Sequence, residues 1–326
     1  GGAQAIAHVN RGRKPVHTLS DTLKQRVMSL YQDRYYGSNA THFAQLLVDY
    51  ENIRLSVSSV RRILIQGKLR PQRLRSRLKA HRPRPRKPQA GMMWQIDASP
   101  YAWLEDRGPS LTLHAIIEDA TGEVVAAAFR STETLEGCVT VMIDALRRKG
   151  VPLSLYSDQH SIFHPPKGKL TLEQEPAGQR QALSTFGQAI ADLGITHIEA
   201  LSPQAKGRIE RLFETLQDRL VIELRLRGVS TLEEANQVLP ELIQKHNRLF
   251  AVAPKDAESA YRPLPERLVN VDDDRVGEHF VEIAERKQLD EIFEPDPLAP
   301  ENAPGGRKPL ERHGQAQIGN VMKHLK

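Results

Sequence analysis

The chain has 326 residues, 39% hydrophobic and 26% charged, with a net charge of +6, the proportions of a globular protein with room for more than one core. No apolar run approaches the ~18 residues of a membrane helix, and a single cysteine, Cys138, excludes internal disulfides and cysteine-based zinc sites. The charge is unevenly placed: residues 1–90 hold 19 Lys and Arg against four acids, a net of +15, and residues 91–326 hold 27 against 36, a net of −9. A basic front on a slightly acidic body points to a nucleic-acid-binding region joined to a separately folded main domain.

The opening GGAQAIAHVN has neither an initiator Met nor an apolar signal segment and reads as a scar or the cut edge of a longer protein. Residues 1–17 form a basic arm containing Arg11, Arg13 and Lys14. Residues 18–68 follow as three short helices. Ser20 caps the first, with Leu23, Val27, Leu30 and Tyr31 on one face; Thr41 caps the second, with Phe43, Leu46, Leu47 and Tyr50 inward. Ser56 opens the third, which turns Val60, Ile63 and Leu64 inward and leaves Ser58, Ser59, Arg61 and Arg62 for a partner. That is the pattern of a helix-turn-helix with a cationic recognition helix, although a plain three-helix bundle shares it.

Residues 69–90 form a Pro-rich basic linker. Within it Arg82, Arg84, Arg86 and Lys87 sit in an extended, acid-free stretch suited to a narrow minor groove, and equally to a plain solvated linker. From residue 91 the pattern changes to strands. Residues 92–98, ending near Asp97, 111–117 and 123–129 read as three antiparallel strands, the last two joined by Asp119-Ala120-Thr121-Gly122. A helix over 132–149, a strand over 151–156, an insertion over 162–178, a helix over 179–193, a strand over 195–199 and helices over 204–227 and 231–247 complete the order β-β-β-α-β-α-β-α. This order predicts an α/β fold, a ribonuclease H-like mixed five-stranded sheet with flanking helices, over 91–255. Residues 256–326 form a C-terminal tail, flexible through EPDPLAPENAPGG.

Three acids stand at matched places in this topology: Asp97 on the first strand, Asp158 after the fourth and Glu210 early on the long helix. Acids at strand ends are often only turn residues, but three that the topology draws together repel one another unless cations sit between them. Two Mg²⁺ ions ~3.5–4 Å apart activate a nucleophile and relieve charge on a leaving oxygen in phosphodiester chemistry, and they take hard oxygen ligands. Asp119 and Asp144 are assigned to a turn and an exposed helix face. His160, near His164, is read as a neighbour of the active site and a DNA contact, not a zinc ligand.

The stretches Trp94-Gln95-Ile96-Asp97-Ala98-Ser99, Tyr156-Ser157-Asp158-Gln159-His160-Ser161-Ile162-Phe163 and Ser202-Pro203-Gln204-Ala205-Lys206-Gly207-Arg208-Ile209-Glu210-Arg211 resemble the DDE transposases of bacterial insertion sequences, in particular the ISNCY-type group with its retroviral-integrase-like core. Thr215-Leu216-Gln217-Asp218-Arg219-Leu220 continues the likeness. The resemblance implies a triad of Asp97, Asp158 and Glu210 holding Mg²⁺, with Mn²⁺ as a substitute. It implies cleavage of transposon-end phosphodiesters and joining of 3′-OH ends to target DNA, with Lys206 and Arg208 beside the scissile phosphate. Double-stranded DNA and further copies of the chain are the expected partners, and a nucleoid-associated bacterial cytoplasm the expected place. The chain departs from the group in its 162–178 insertion, in lacking an N-terminal His/Cys module and an upstream helix-turn-helix, and in a Pro/Glu-rich tail where a small β-rich domain is usual. Two other readings stay open: a truncated or domesticated derivative that only binds specific DNA, and a standalone ribonuclease H-like nuclease.

Overall fold

A computed structural model describes residues 18–69, 84–157, 184–199 and 207–265. Chain contacts divide it into two units, Gly1–Ala80 and His81–Lys326.

In the first unit the apolar spacing of each helix meets its neighbours. α1 (Asp21–Asp33) is capped by Ser20, α2 (Ala40–Glu51) by Asn39 and α3 (Val57–Gln66) by Ser56. Asn39 takes the place expected for Thr41: its carboxamide oxygen accepts from the backbone of both Thr41 and His42, so the helix starts two residues earlier. Val27, Tyr31, Tyr35, Phe43, Leu46, Leu47, Val60, Ile63 and Leu64 are buried together, with Tyr31 edge-on to Phe43 at 5.2 Å between ring centroids. Tyr50, expected inward, is 38% exposed. It leans on Tyr35, and the Arg34 guanidinium lies 5.6 Å from its ring.

The second unit is built on period-two strands. β1 (Trp94–Tyr101) pairs antiparallel with β2 (Leu111–Glu118), which pairs antiparallel with β3 (Val124–Arg130). On the other side of β1, β4 (Ser154–Ser157) and then β5 (Thr196–Glu199) run parallel, giving the order β3-β2-β1-β4-β5. α4 (Leu135–Lys149) and α5 (Thr185–Asp192) cover one face, where Trp94, Ile96, Ile116 and Leu155 meet Val141, Met142, Phe186 and Ile190. α6 (Gly207–Leu226) and α7 (Leu232–Phe250) cover the other, where Leu111, Leu113 and Ala115 meet Ile209, Leu216 and Leu239. β2 is buried along its whole length because it has neighbours on both edges and helices on both faces. This is the ribonuclease H-like arrangement that the element order predicts.

Two boundaries differ from expectation. Residues 84–90, read as linker, are bonded to the sheet through Arg84, Arg86 and the backbone of Lys87. Residues 256–265, read as tail, cross the body: Val151 pairs with Arg262, and Tyr261 bonds to Trp94 and Glu118. Val151 therefore belongs to a bridge, and the fourth strand begins at Ser154. The expected arm 1–17 and the insertion 162–178 lie outside the described residues.

Candidate catalytic site

Alternation along β1 decides what faces α6. Trp94 and Ile96 enter the core under α4 and α5, so Gln95, Asp97 and Ser99 occupy the opposite face. Asp97 stands in the middle of β1, opposite Ala115, not at its end as expected. It is half-buried, and one carboxylate oxygen accepts from the Ala98 N–H at 3.0 Å. Glu210 lies in the first turn of α6 and is exposed.

Two hydrogen bonds lock α6 along this face. The Ile209 N–H donates to Gln95 Oε1 at 3.3 Å, and Gln217 Nε2 donates to Ser99 Oγ at 3.0 Å. Four residues of strand rise ~13 Å and eight residues of helix ~12 Å, so the two segments run side by side in the same direction. Asp97 lies midway between the strand anchors, and Glu210 is next to the first helix anchor, within about one helical turn of its level.

Behind this pair is a buried polar cluster that the sequence did not disclose. The fully buried Asp119, expected to be a plain turn residue, accepts from Gln95 Nε2 at 2.8 Å, Arg208 Nε at 2.8 Å and the Lys87 backbone N–H at 2.8 Å, and is paired with Arg84. Arg208 also donates to the Arg84 carbonyl at 2.7 Å. Arg86 reaches the Ala120 carbonyl at 3.3 Å. Beside it, Glu118 accepts from the Gly91 and Ala120 N–H groups and from the Tyr261 hydroxyl at 2.6 Å; burial raises its carboxyl above the ordinary range.

The expected DNA contacts thus separate. Arg84 and Arg208 are spent on Asp119, and Arg86 packs on the β2–β3 turn, so these three are built into the body where DNA contacts were expected. The Arg208 side chain is only 15% exposed. Only the Lys87 backbone joins the cluster. On α3, Ser58, Arg61 and Arg62 are exposed, whereas the Ser59 hydroxyl accepts from the capping Ser56 at 3.0 Å. Asp158, His160, Lys206, Arg11, Arg13, Lys14 and Arg82 lie outside the described residues. Among the described residues no three His, Cys, Asp or Glu side chains converge as a metal site. No described helix is long and apolar enough to cross a membrane.

No protein-family model matches the chain. The chain is 34% identical over 274 residues to the Sinorhizobium fredii protein named "Putative transposase y4bF", and 35% identical over 305 residues to the transposase for insertion sequence IS1202 of Streptococcus pneumoniae. These alignments cover 83% and 82% of this chain and 58% and 64% of those proteins, so the chain spans about three-fifths of each relative's length. Among solved structures it is similar to the HTLV-2 integrase catalytic core domain in complex with magnesium, at 19% identity and a TM-score of 0.36 over 49% of this chain and 88% of that one. It is also similar to the simian T-cell lymphotropic virus intasome in complex with a PP2A regulatory subunit, at 15% identity and a TM-score of 0.39 over 86% of this chain and 80% of that one. By sequence, and over more than four-fifths of its length, the chain resembles the transposases of insertion sequences.

Proposed function

We propose that the chain is a DNA strand-cleaving and strand-joining enzyme, a transposase whose catalytic acids are Asp97, Asp158 and Glu210. One observation carries the reading: β1 and the first turn of α6 are bonded side by side, placing Asp97 and Glu210 on facing elements. β4 ends at Ser157, parallel to β1, with Gln95 beside Tyr156. Asp158 follows Ser157 directly in the chain, outside the described residues, and joins the triad on the sequence motif.

The donor set fits Mg²⁺: carboxylate oxygens on rigid elements, one half-buried and one exposed to an incoming substrate. When bound, the metal supplies a lowered pKa to the attacking hydroxyl and relief of charge on the leaving oxygen. The protein's own contribution is placement. β1 fixes Asp97 on the face toward α6, opposite Ala115 of β2, and α6 presents Glu210 at its first turn, the two elements being held together by their hydrogen bonds. α3, with Ser58, Arg61 and Arg62 outward, is the element that reads duplex DNA, and terminal repeats and target DNA are its substrates. The domain division into a helix-turn-helix and a catalytic body belongs to the same reading, as does assembly of several copies on DNA.

The test is cleavage and joining of DNA carrying the repeats that flank the gene, with Mg²⁺ or Mn²⁺. Asp97→Asn, Asp158→Asn and Glu210→Gln are each expected to lower nicking by at least about 10³-fold while gel-shift binding persists, because each removes charge from the metal donor set. Undiminished nicking by all three overturns the assignment. Nicking without any joined product reduces the proposal to a nuclease.

A further inference from the structure

We infer that Gln95, held by Asp119, is the positioning residue that sets Glu210 against Asp97. The inference rests on the reading of those two acids as metal ligands. Gln95 is fully buried on the strand that carries Asp97, two residues before it. Its carboxamide bridges two elements: Oε1 accepts from the N–H of Ile209, the residue before Glu210, and Nε2 donates to Asp119. The N–H of Ile209 lies in the first turn of α6, where helix geometry supplies no partner, so the Gln95 oxygen is the acceptor that ends the helix in register with the strand.

Asp119 prevents this carboxamide from turning. With Nε2 fixed on a carboxylate, Oε1 is left for α6. Arg208, one residue before Ile209, closes the loop by bonding the same carboxylate oxygen. The start of α6 is thereby tied to the sheet twice, through its backbone at Ile209 and its side chain at Arg208. The second rung, Gln217 to Ser99, fixes the middle of the helix. Between the rungs the helix cannot slide along β1. A slip of one residue, ~1.5 Å, misplaces a carboxylate at an ion that tolerates little departure from octahedral distances. The cluster also engages Arg84 and Arg208, two cations close in the chain or the fold to the acids, so that they do not neutralise Glu210 or Asp97 in place of a metal.

A positioning role differs from a structural one in what it moves. Residues that orient metal ligands typically change affinity 10- to 100-fold. Gln95→Met keeps the volume and removes both bonds, and Asp119→Asn keeps the shape and removes the charge. Mn²⁺ binding to the 326-residue chain, followed by loss of the free-ion signal in electron paramagnetic resonance, is expected to weaken about ten-fold or more in each. The Mg²⁺ concentration for half-maximal nicking is expected to rise in parallel, with most of the rate recovered at saturating Mg²⁺. Should Gln95→Met fail to fold, Gln217→Ala at the half-exposed rung reads the same register and is expected to weaken Mn²⁺ in the same sense. Melting measured without metal separates the alternatives: folded variants that bind Mn²⁺ as the wild type does overturn the positioning role. Asp97→Asn and Glu210→Gln are the controls, and unchanged Mn²⁺ binding in those two overturns the metal-ligand reading instead.

Discussion

His114, on β2, is fully enclosed against the start of α4, where a Cβ added at Gly137 would lie 2.5 Å from its ring. The close approach of helix to strand there depends on a residue without a side chain. The Thr134 N–H donates to His114 Nε2 at 3.4 Å, so the ring is held neutral. Burial first, and Arg130 second, lower its pKa to about 4. His246 on α7 is in the same position, lowered to about 4 by burial and then by Arg219, with its ring 4.7 Å from that of Phe250. A histidine whose folded pKa lies below its unfolded value of ~6.5 takes up protons on unfolding. Its stabilising contribution is therefore complete above about pH 6.5 and is lost as the pH falls toward 4, at most about 3 kcal/mol for each ring. Denaturant titrations are expected to show stability falling between pH 6.5 and 4.5. The fall should be shallower in His246→Gln, which keeps size and polarity but does not titrate. Equal slopes for the two proteins would remove His246 as a source of acid sensitivity.

At the scale of elements, α3 carries its own prediction. Arg61 and Arg62 are exposed on a helix whose other side holds Val60, Ile63 and Leu64 in the core, so they can be changed without touching the fold. If they meet phosphates, Arg61→Ala or Arg62→Ala weakens duplex binding about equally for all sequences and lowers the slope of log affinity against log salt by about one. A loss confined to one base position would mark a base contact instead. This helix was legible in the sequence because its cap, apolar spacing and outward cations are all local. So were the strands, from period-two apolar runs, and with them the sheet order that brings β1 beside β4. Asp119 was not legible. A carboxylate before Ala-Thr-Gly has the composition of a solvated turn, and its cations lie 35 and 89 residues away, at Arg84 and Arg208. Nothing local distinguishes an arginine that pairs inside a fold from one that waits for phosphate. The basic linker therefore read as a DNA arm, and Arg208, two residues from Glu210, as a substrate contact. Candidate acids can be nominated from sequence because metal chemistry restricts residue type, whereas a buried ion pair is a property of the folded neighbourhood.

For the whole second unit, the decisive contact joins residues far apart in the chain. Residues 256–265 return across the sheet after α7, and the backbone of Tyr261 comes so close to Gly91 that a Cβ there would lie 2.4 Å from its nitrogen. The Tyr261 hydroxyl accepts from Trp94 Nε1 at 2.7 Å and donates to Glu118 at 2.6 Å. One phenol thereby links the core under α4 and α5 to the carboxylate beside Asp119. Burial and the Glu118 charge push the phenol far above its ordinary pKa, so it stays a donor at any working pH. Arg262 adds bonds to the carbonyls of Leu193 and Gly194, at 3.0 and 2.9 Å, tying the same segment to the end of α5. Tyr261→Phe keeps the ring packing and removes only the oxygen, leaving a buried indole N–H and a buried carboxyl each short of a partner. A group stranded in this way costs about 1–3 kcal/mol, and in a body of this size each kcal/mol moves the melting temperature by roughly 2–4 °C. Thermal unfolding of the full chain is expected to shift down by roughly 4–8 °C at about 2 kcal/mol. Gel-shift binding of duplex DNA is expected to stay as in the wild type, because α3 folds on its own core in the first unit. A melting temperature within about a degree of wild type would mean that water replaces the phenol, and that the return segment is held by Arg262 and its backbone bonds alone.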